Sequence, residues 1–267
     1  MIMDITQILI AVGLTLVAGL STGIGGFISF FTKASDSRVL AGALGLSAGV
    51  MVYISFMELL PQAMEHMSLT MSETGARVWS LVAFFGGMAL IALIDWLIPE
   101  DENPHEIHSL AELNRPDNHH LRRTGMMLAL AITIHNFPEG IATFVTALNG
   151  VEMALPIVIA IAIHNIPEGI AVSVPIYQST GSRKKAMTWT VLSGLAEPLG
   201  AILAALFLLP FWSPMIDAIC VAAVAGIMVY ISFDELLPSA ESHGHHHLVL
   251  GGVILGMLIM AISLLIL

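Results

Sequence analysis

The sequence predicts an all-α integral membrane protein, with eight transmembrane helices in a 3+2+3 arrangement that holds an inverted repeat. Three observations lead there. The 267 residues are 57% hydrophobic and only 11% charged, with a mean hydropathy of +0.88, a balance far from that of a soluble domain. Eight apolar runs each reach about 20 residues, the length that crosses a bilayer as a helix. Two motifs are each written twice: H-N-x-P-E-G-I-A at 135–142 and 164–171, and G-x-M-V-Y-I-S-F-x-E-L-L-P at 49–61 and 226–238.

The runs lie at 5–31, 39–62, 77–98, 124–148, 153–177, 186–211, 214–238 and 248–267. They use nearly all of residues 1–267, which are therefore read as one transmembrane domain. One long polar segment, 99–123, is expected to be a cytoplasmic loop bearing His105, His108, His119 and His120 among acids such as Glu102 and Glu106. The first lysine is Lys33, so no basic stretch precedes the first run and a cleaved signal peptide is not expected. Cys220 is the only cysteine, which excludes an intrachain disulfide and a thiolate metal cluster.

Basic residues set the orientation, because cytoplasmic loops carry an excess of Lys and Arg. Lys33 and Arg38 fall between runs 1 and 2, Arg115, Arg122 and Arg123 between runs 3 and 4, and Arg183, Lys184 and Lys185 between runs 5 and 6. Only Arg77 falls on the other side. Both termini are accordingly expected outside the cytoplasm. The net charge of −11 favours cations near the protein, and no nucleic-acid partner is expected.

The longer motif repeats with an offset of 177 residues, in run 2 and again in run 7. On this topology the two runs point in opposite directions, so runs 1–3 are related to 6–8 and run 4 to run 5. Inverted repeats with a site at their interface recur in transporters, though a channel or an enzyme could share them. Glycines of run 1 (Gly13, Gly19, Gly23, Gly25, Gly26) and the pair Gly252 and Gly256 of run 8 are expected at helix contacts.

The shorter motif places ionisable residues inside apolar runs, which is costly and marks a site or pathway. In a helix, residues three or four apart share a face. Glu139 therefore neighbours His135 and Asn136, and Glu168 neighbours His164 and Asn165. A carboxylate so flanked can bridge two metal ions. Asn149-Gly150 marks the turn between runs 4 and 5, nearly equidistant from His135 and His164, so an antiparallel pair would set both histidines at one height, with the glutamates about 6 Å to either side. Pro138 and Pro167 free carbonyls one turn earlier, which calls for a cavity or a neighbour. Run 6 adds Glu197, followed by Pro198. Three carboxylates, two imidazoles and two amides would converge at the midplane. That donor set, without sulfur, suits Zn²⁺, Fe²⁺, Mn²⁺, Co²⁺ or Cd²⁺ better than Cu⁺.

Other polar residues are read more plainly. Glu58, Asp234 and Glu235 sit at what the sequence marks as helix ends, where they could guide ions in or out, with helix-end solvation the favoured reading, and Asp95 is read as interfacial. His243, His245, His246 and His247 form a histidine-rich tract of the kind that captures metal weakly. Glu65 and His66 are a candidate capture pair on the outer side. The methionines, Met51 and Met228 among them, are read as lipid-facing or packing residues.

H-N-F-P-E-G, H-N-I-P-E-G and the A-E-P-L-G of run 6, within eight helices and a histidine-bearing loop, resemble the ZIP (Zrt-/Irt-like) metal transporters, most closely their bacterial branch. The resemblance spans essentially the whole chain. It implies a carrier of the bacterial inner membrane that brings zinc and related divalent cations into the cytoplasm, with no prosthetic group. It also implies one metal held by His135, Glu139, His164 and Glu168, and a second held by Asn136, Glu139, Asn165, Glu168 and Glu197. Helices 1, 4, 5 and 6 around the path, an elevator-like motion and a homodimer belong to the same implication. A membrane di-metal enzyme and a metal sensor acting through the histidine loops are the other readings; an enzyme would need a dedicated acid or base beyond the ligands, and none stands out.

Overall fold

The structure, a computed structural model, describes residues 5–31, 37–97 and 118–266. His105, His108, Glu102 and Glu106, and the side chains of His119 and His120, lie outside the described residues. Within them the fold is all helix: α1 (Ile5–Ile28), α2 (Ser37–Ser68), α3 (Glu73–Leu97), α4 (Asn118–Asn149), α5 (Val151–Thr180), α6 (Arg183–Phe207), α7 (Pro214–Ser242) and α8 (His246–Ile266). Seven of these, all but α4, are long and apolar enough to cross a membrane. The fourth carries His135, Asn136 and Glu139 in its middle and packs between α1, α5, α6 and α7.

Side chains are sorted as a bilayer demands rather than as water does. Phe85, Leu93, Ile254 and Leu258 on α3 and α8 are exposed, while His135, Asn136, Glu139, His164, Asn165, Glu168 and Glu197 are among the most buried residues. Met51 and Met228 pack in the core.

Two helices run on where the sequence marks an end. The Pro61 and Pro238 positions read as stops, yet α2 continues to Ser68 and α7 to Ser242. Each passes its proline through a π-turn, Ser55–Leu59 in α2 and Ser232–Leu236 in α7. A proline lacks the N–H and crowds the carbonyl four residues back; the wider turn bypasses that carbonyl and lets the helix resume. Glu58, Asp234 and Glu235 consequently sit inside these turns rather than at helix ends, and Glu235 is buried. In α6 the smaller interruption falls at Leu195, directly ahead of Glu197 and Pro198.

The helices pack as two groups. One comprises α1, α4, α5 and α6; the other comprises α2, α3, α7 and α8; between them, α2 lies along α5 and α7 along α4. Close backbone approach at small residues holds each group, as membrane helices require in the absence of a hydrophobic drive between them. A Cβ on Gly19 would strike the Gly194 carbonyl, one on Gly25 the Ile166 carbonyl, and one on Gly256 the Leu46 carbonyl. Gly13 faces open space, so the packing role read for α1 falls on the other glycines of that helix. The turn between α4 and α5 is at Asn149-Gly150 as expected, with Gly150 at φ +140° where a side chain would be strained.

Candidate metal centre

Both copies of the short motif meet at one place. His135 and Glu139 come from α4, His164 and Glu168 from α5, and each is at most 1% exposed. The pairs cross over: Glu139 Oε1 lies 3.3 Å from His135 Nε2 and 3.0 Å from His164 Nε2, and Glu168 Oε1 lies 3.5 Å from His135 Nε2. The two rings stand 6.5 Å apart, within one cluster. Ligand atoms of His135, His164 and Glu168 all fall within 4.8 Å of one another, spacing that one ion can span.

The orientation of the ligands is set by bonds on their far sides. Nδ1 of His164 lies 3.1 Å from the Ala160 carbonyl. A carbonyl only accepts, so Nδ1 carries a proton there, and Nε2 is the ring nitrogen that faces Glu139. The asparagines are held in the same way. Asn136 Nδ2 donates to the Ser193 carbonyl of α6 at 3.3 Å, and Asn165 Nδ2 donates to the Ala18 carbonyl of α1 at 3.0 Å and also to Glu197 Oε1. With the amide nitrogens so engaged, both oxygens face the other way.

Those oxygens have no partner. Asn136 Oδ1, Asn165 Oδ1, Glu139 Oε2, Glu168 Oε2 and Glu197 Oε2 are buried and accept no hydrogen bond. Buried acceptors are almost always satisfied, because desolvation otherwise costs about 1–3 kcal/mol each. Five orphaned oxygens, on four residues of the doubled motif and on Glu197, are what a candidate cation site would present. Three buried carboxylates beside one another also repel, which a bound cation relieves.

All seven residues expected at the site are buried, and hydrogen bonds or close contacts link His135, Glu139, His164 and Glu168 to one another and Asn165 to Glu197. Ser47 of α2 is an addition the sequence does not flag: its hydroxyl donates to Glu168 Oε1 at 2.9 Å, from the other helix group. No motif surrounds Ser47, and a serine in an apolar run is commonplace.

The remaining sequence candidates do not form a second cluster among the described residues. His243 faces the Ser239 carbonyl at 2.8 Å, His245 the Ser37 hydroxyl at 2.9 Å and His246 the Glu241 carboxylate at 2.7 Å, so the tract is divided among separate neighbours. His66 does not pair with Glu65 but with Asp217, at the start of α7. Asp217 is an acid inside an apolar run, the same signal that singles out Glu197, and could have been found that way.

Comparison with known proteins agrees with this geometry. The profile described as "ZIP Zinc transporter" matches residues 97–264. The chain belongs to the ZIP zinc transporter family. It is therefore a transporter and not an enzyme. Among relatives called Zinc transporter ZupT, that of Streptococcus mutans is 56% identical over 252 residues, 94% of this chain and 95% of that protein. The ZupT of Akkermansia muciniphila is 54% identical over 97% of both chains. That of Clostridium perfringens is 48% identical over 98% of this chain and 97% of its own. The family match takes in every residue of the doubled motif and Glu197, leaving α1, α2 and all but the last residue of α3 to the whole-length relatives.

Proposed function

We propose that this protein carries Zn²⁺ across the bacterial inner membrane into the cytoplasm, through a two-metal site at the bilayer midplane. The observation that carries the reading is the set of orphaned, inward-turned oxygens around two imidazoles. His135, Glu139, His164 and Glu168 hold one ion. Asn136, Asn165 and Glu197 hold a second beside it, with Glu139 and Glu168 bridging. Each second carboxylate oxygen remains for that purpose. A set of nitrogen and oxygen donors also admits Fe²⁺, Mn²⁺, Co²⁺ and Cd²⁺.

The inverted repeat is supported at the level of atoms. Ala18 and Ser193, the acceptors for Asn165 and Asn136, are 175 residues apart, as are Gly19 and Gly194, which touch. Gly256 meets the Leu46 carbonyl, and the repeat-related Gly87 meets that of Ala223. Swapping α1 with α6, α2 with α7, α3 with α8 and α4 with α5 therefore returns the same contacts. All eight helices then span the membrane, with both termini outside, and the Asn149 end of α4 and α5 is the outer end. The metal-bearing group α1, α4, α5 and α6 moves as a body against α2, α3, α7 and α8, which form the homodimer.

Purified protein in liposomes tests this reading. Zn²⁺ uptake should saturate, be competed by Cd²⁺, and vanish in Glu139→Ala. Normal flux in that variant would sink the assignment.

A further inference from the structure

Asp217 is in the first turn of α7, at the outer end, and is 2% exposed. Its two oxygens are held by two different helices. Oδ1 accepts from Asn149 Nδ2 at 3.0 Å, at the turn from α4 to α5. Oδ2 is paired with Nδ1 of His66, near the end of α2, whose side chain is 16% exposed. His66 and Asp217 belong to one helix group and Asn149 to the other. The bond from Asn149 thus ties the metal-bearing group to its partner at the outer end.

The repeat offers an internal control. The 177-residue offset carries Asp217 to Leu40 and His66 to His243 at the opposite end. Leu40 has no polar group, and His243 directs its Nδ1 to the Ser239 carbonyl of its own helix. The arrangement therefore belongs to the outer end and is not a by-product of the repeat.

We infer that His66 and Asp217 form a receiving site for the incoming divalent cation, and that binding there releases Asn149 and unlocks the outer end. This rests on the carrier reading and its two moving groups. An imidazole nitrogen and a carboxylate oxygen pointed at each other from a partly open surface offer the donor types that suit the borderline cations of the midplane site. When an ion takes Nδ1, the proton there passes to water, and the carboxylate turns its charge to the ion and away from the neutral amide. An ion that binds the released carboxylate better than the tied one must favour release by the same free energy.

The test uses the full chain in spheroplasts, carrying Cys220→Ser and a reporter Thr146→Cys on the buried outer half of α4, labelled by a membrane-impermeant maleimide. Without added metal, Asn149→Ala should label at least fivefold faster than the parent. Added Zn²⁺ should speed the parent severalfold and leave Asp217→Asn and His66→Ala unmoved; the first keeps an acceptor for Asn149, the second alters a partly exposed residue and guards against misfolding. Parent-like labelling of Asn149→Ala, or an intact zinc response in both ligand variants, overturns the inference and leaves a structural tie only. Zinc uptake by the parent in the same spheroplasts judges the carrier reading separately.

Discussion

The Glu139 carboxylate of α4 lies 3.0 Å from the His164 ring of α5, so that each copy of the doubled motif completes the other rather than forming a site of its own. Glu168 returns the relationship toward His135 at 3.5 Å. The candidate ligands of both helices meet only in the hairpin. Four consequences of this packing can be measured.

Zinc should stabilise the detergent-solubilised protein against heat. An ion that binds only the folded state adds about 2.7 kcal/mol at a hundredfold excess over its Kd. The unfolding temperature should rise with Zn²⁺, fall back on chelation, and stay flat in Glu139→Ala. A zinc response retained by that variant would place the ion elsewhere.

Asn165 has two tasks, and two substitutions separate them. Asn165→Ala removes the oxygen proposed for a second ion along with the bond to Ala18; on the two-metal proposal it should lower bound metal from two ions to one. Asn165→Asp keeps an oxygen at the ion but sets a second against the Ala18 carbonyl and Glu197. It should cost about 1–3 kcal/mol of stability in the metal-free protein and retain both ions when loaded. If Asn165→Ala loses one ion with zinc flux intact, the second position tunes the first instead of transporting.

Ser47→Ala should weaken zinc binding by about tenfold, within the 10–100-fold typical of a lost partner to a metal ligand. Its hydroxyl holds Glu168 Oε1 from outside the metal-bearing group. Isothermal titration on the purified variant would show it, while Ser47→Thr, which keeps the donor, should recover most of the affinity.

Close packing between α4 and α6 should be intolerant of a single methyl. A Cβ on Gly140 would run into the Glu197 carbonyl, backbone that cannot step aside cheaply. Gly140→Ala should cost about 1–3 kcal/mol, visible as a lower unfolding temperature, whereas Gly13→Ala, in open space, should be near neutral or slightly stabilising.

The eight helices, the hairpin at Asn149-Gly150 and the buried cluster of candidate ligands were legible in the sequence, because each rests on a local signal. A run of apolar residues has nowhere to go but the bilayer, and i, i+3 and i+4 spacing puts a carboxylate beside its neighbours whatever the fold around it. Doubling the motif about a short turn then leaves one way to bring the copies together. Tertiary structure alone decided what depends on the far side of each group. That Asn136 and Asn165 keep a buried, unpartnered oxygen follows from where the Ser193 and Ala18 carbonyls engage their amide nitrogens. That Ser47 reaches Glu168, and that Asp217 joins His66 to Asn149, follows from the packing of α2 and α7 against the other group. Even the passage of α2 and α7 through Pro61 and Pro238 turned on π-turns that no propensity announces. An amide can face either way and a helix can stop or continue at nearly equal local cost, so only neighbours distant in sequence choose between them.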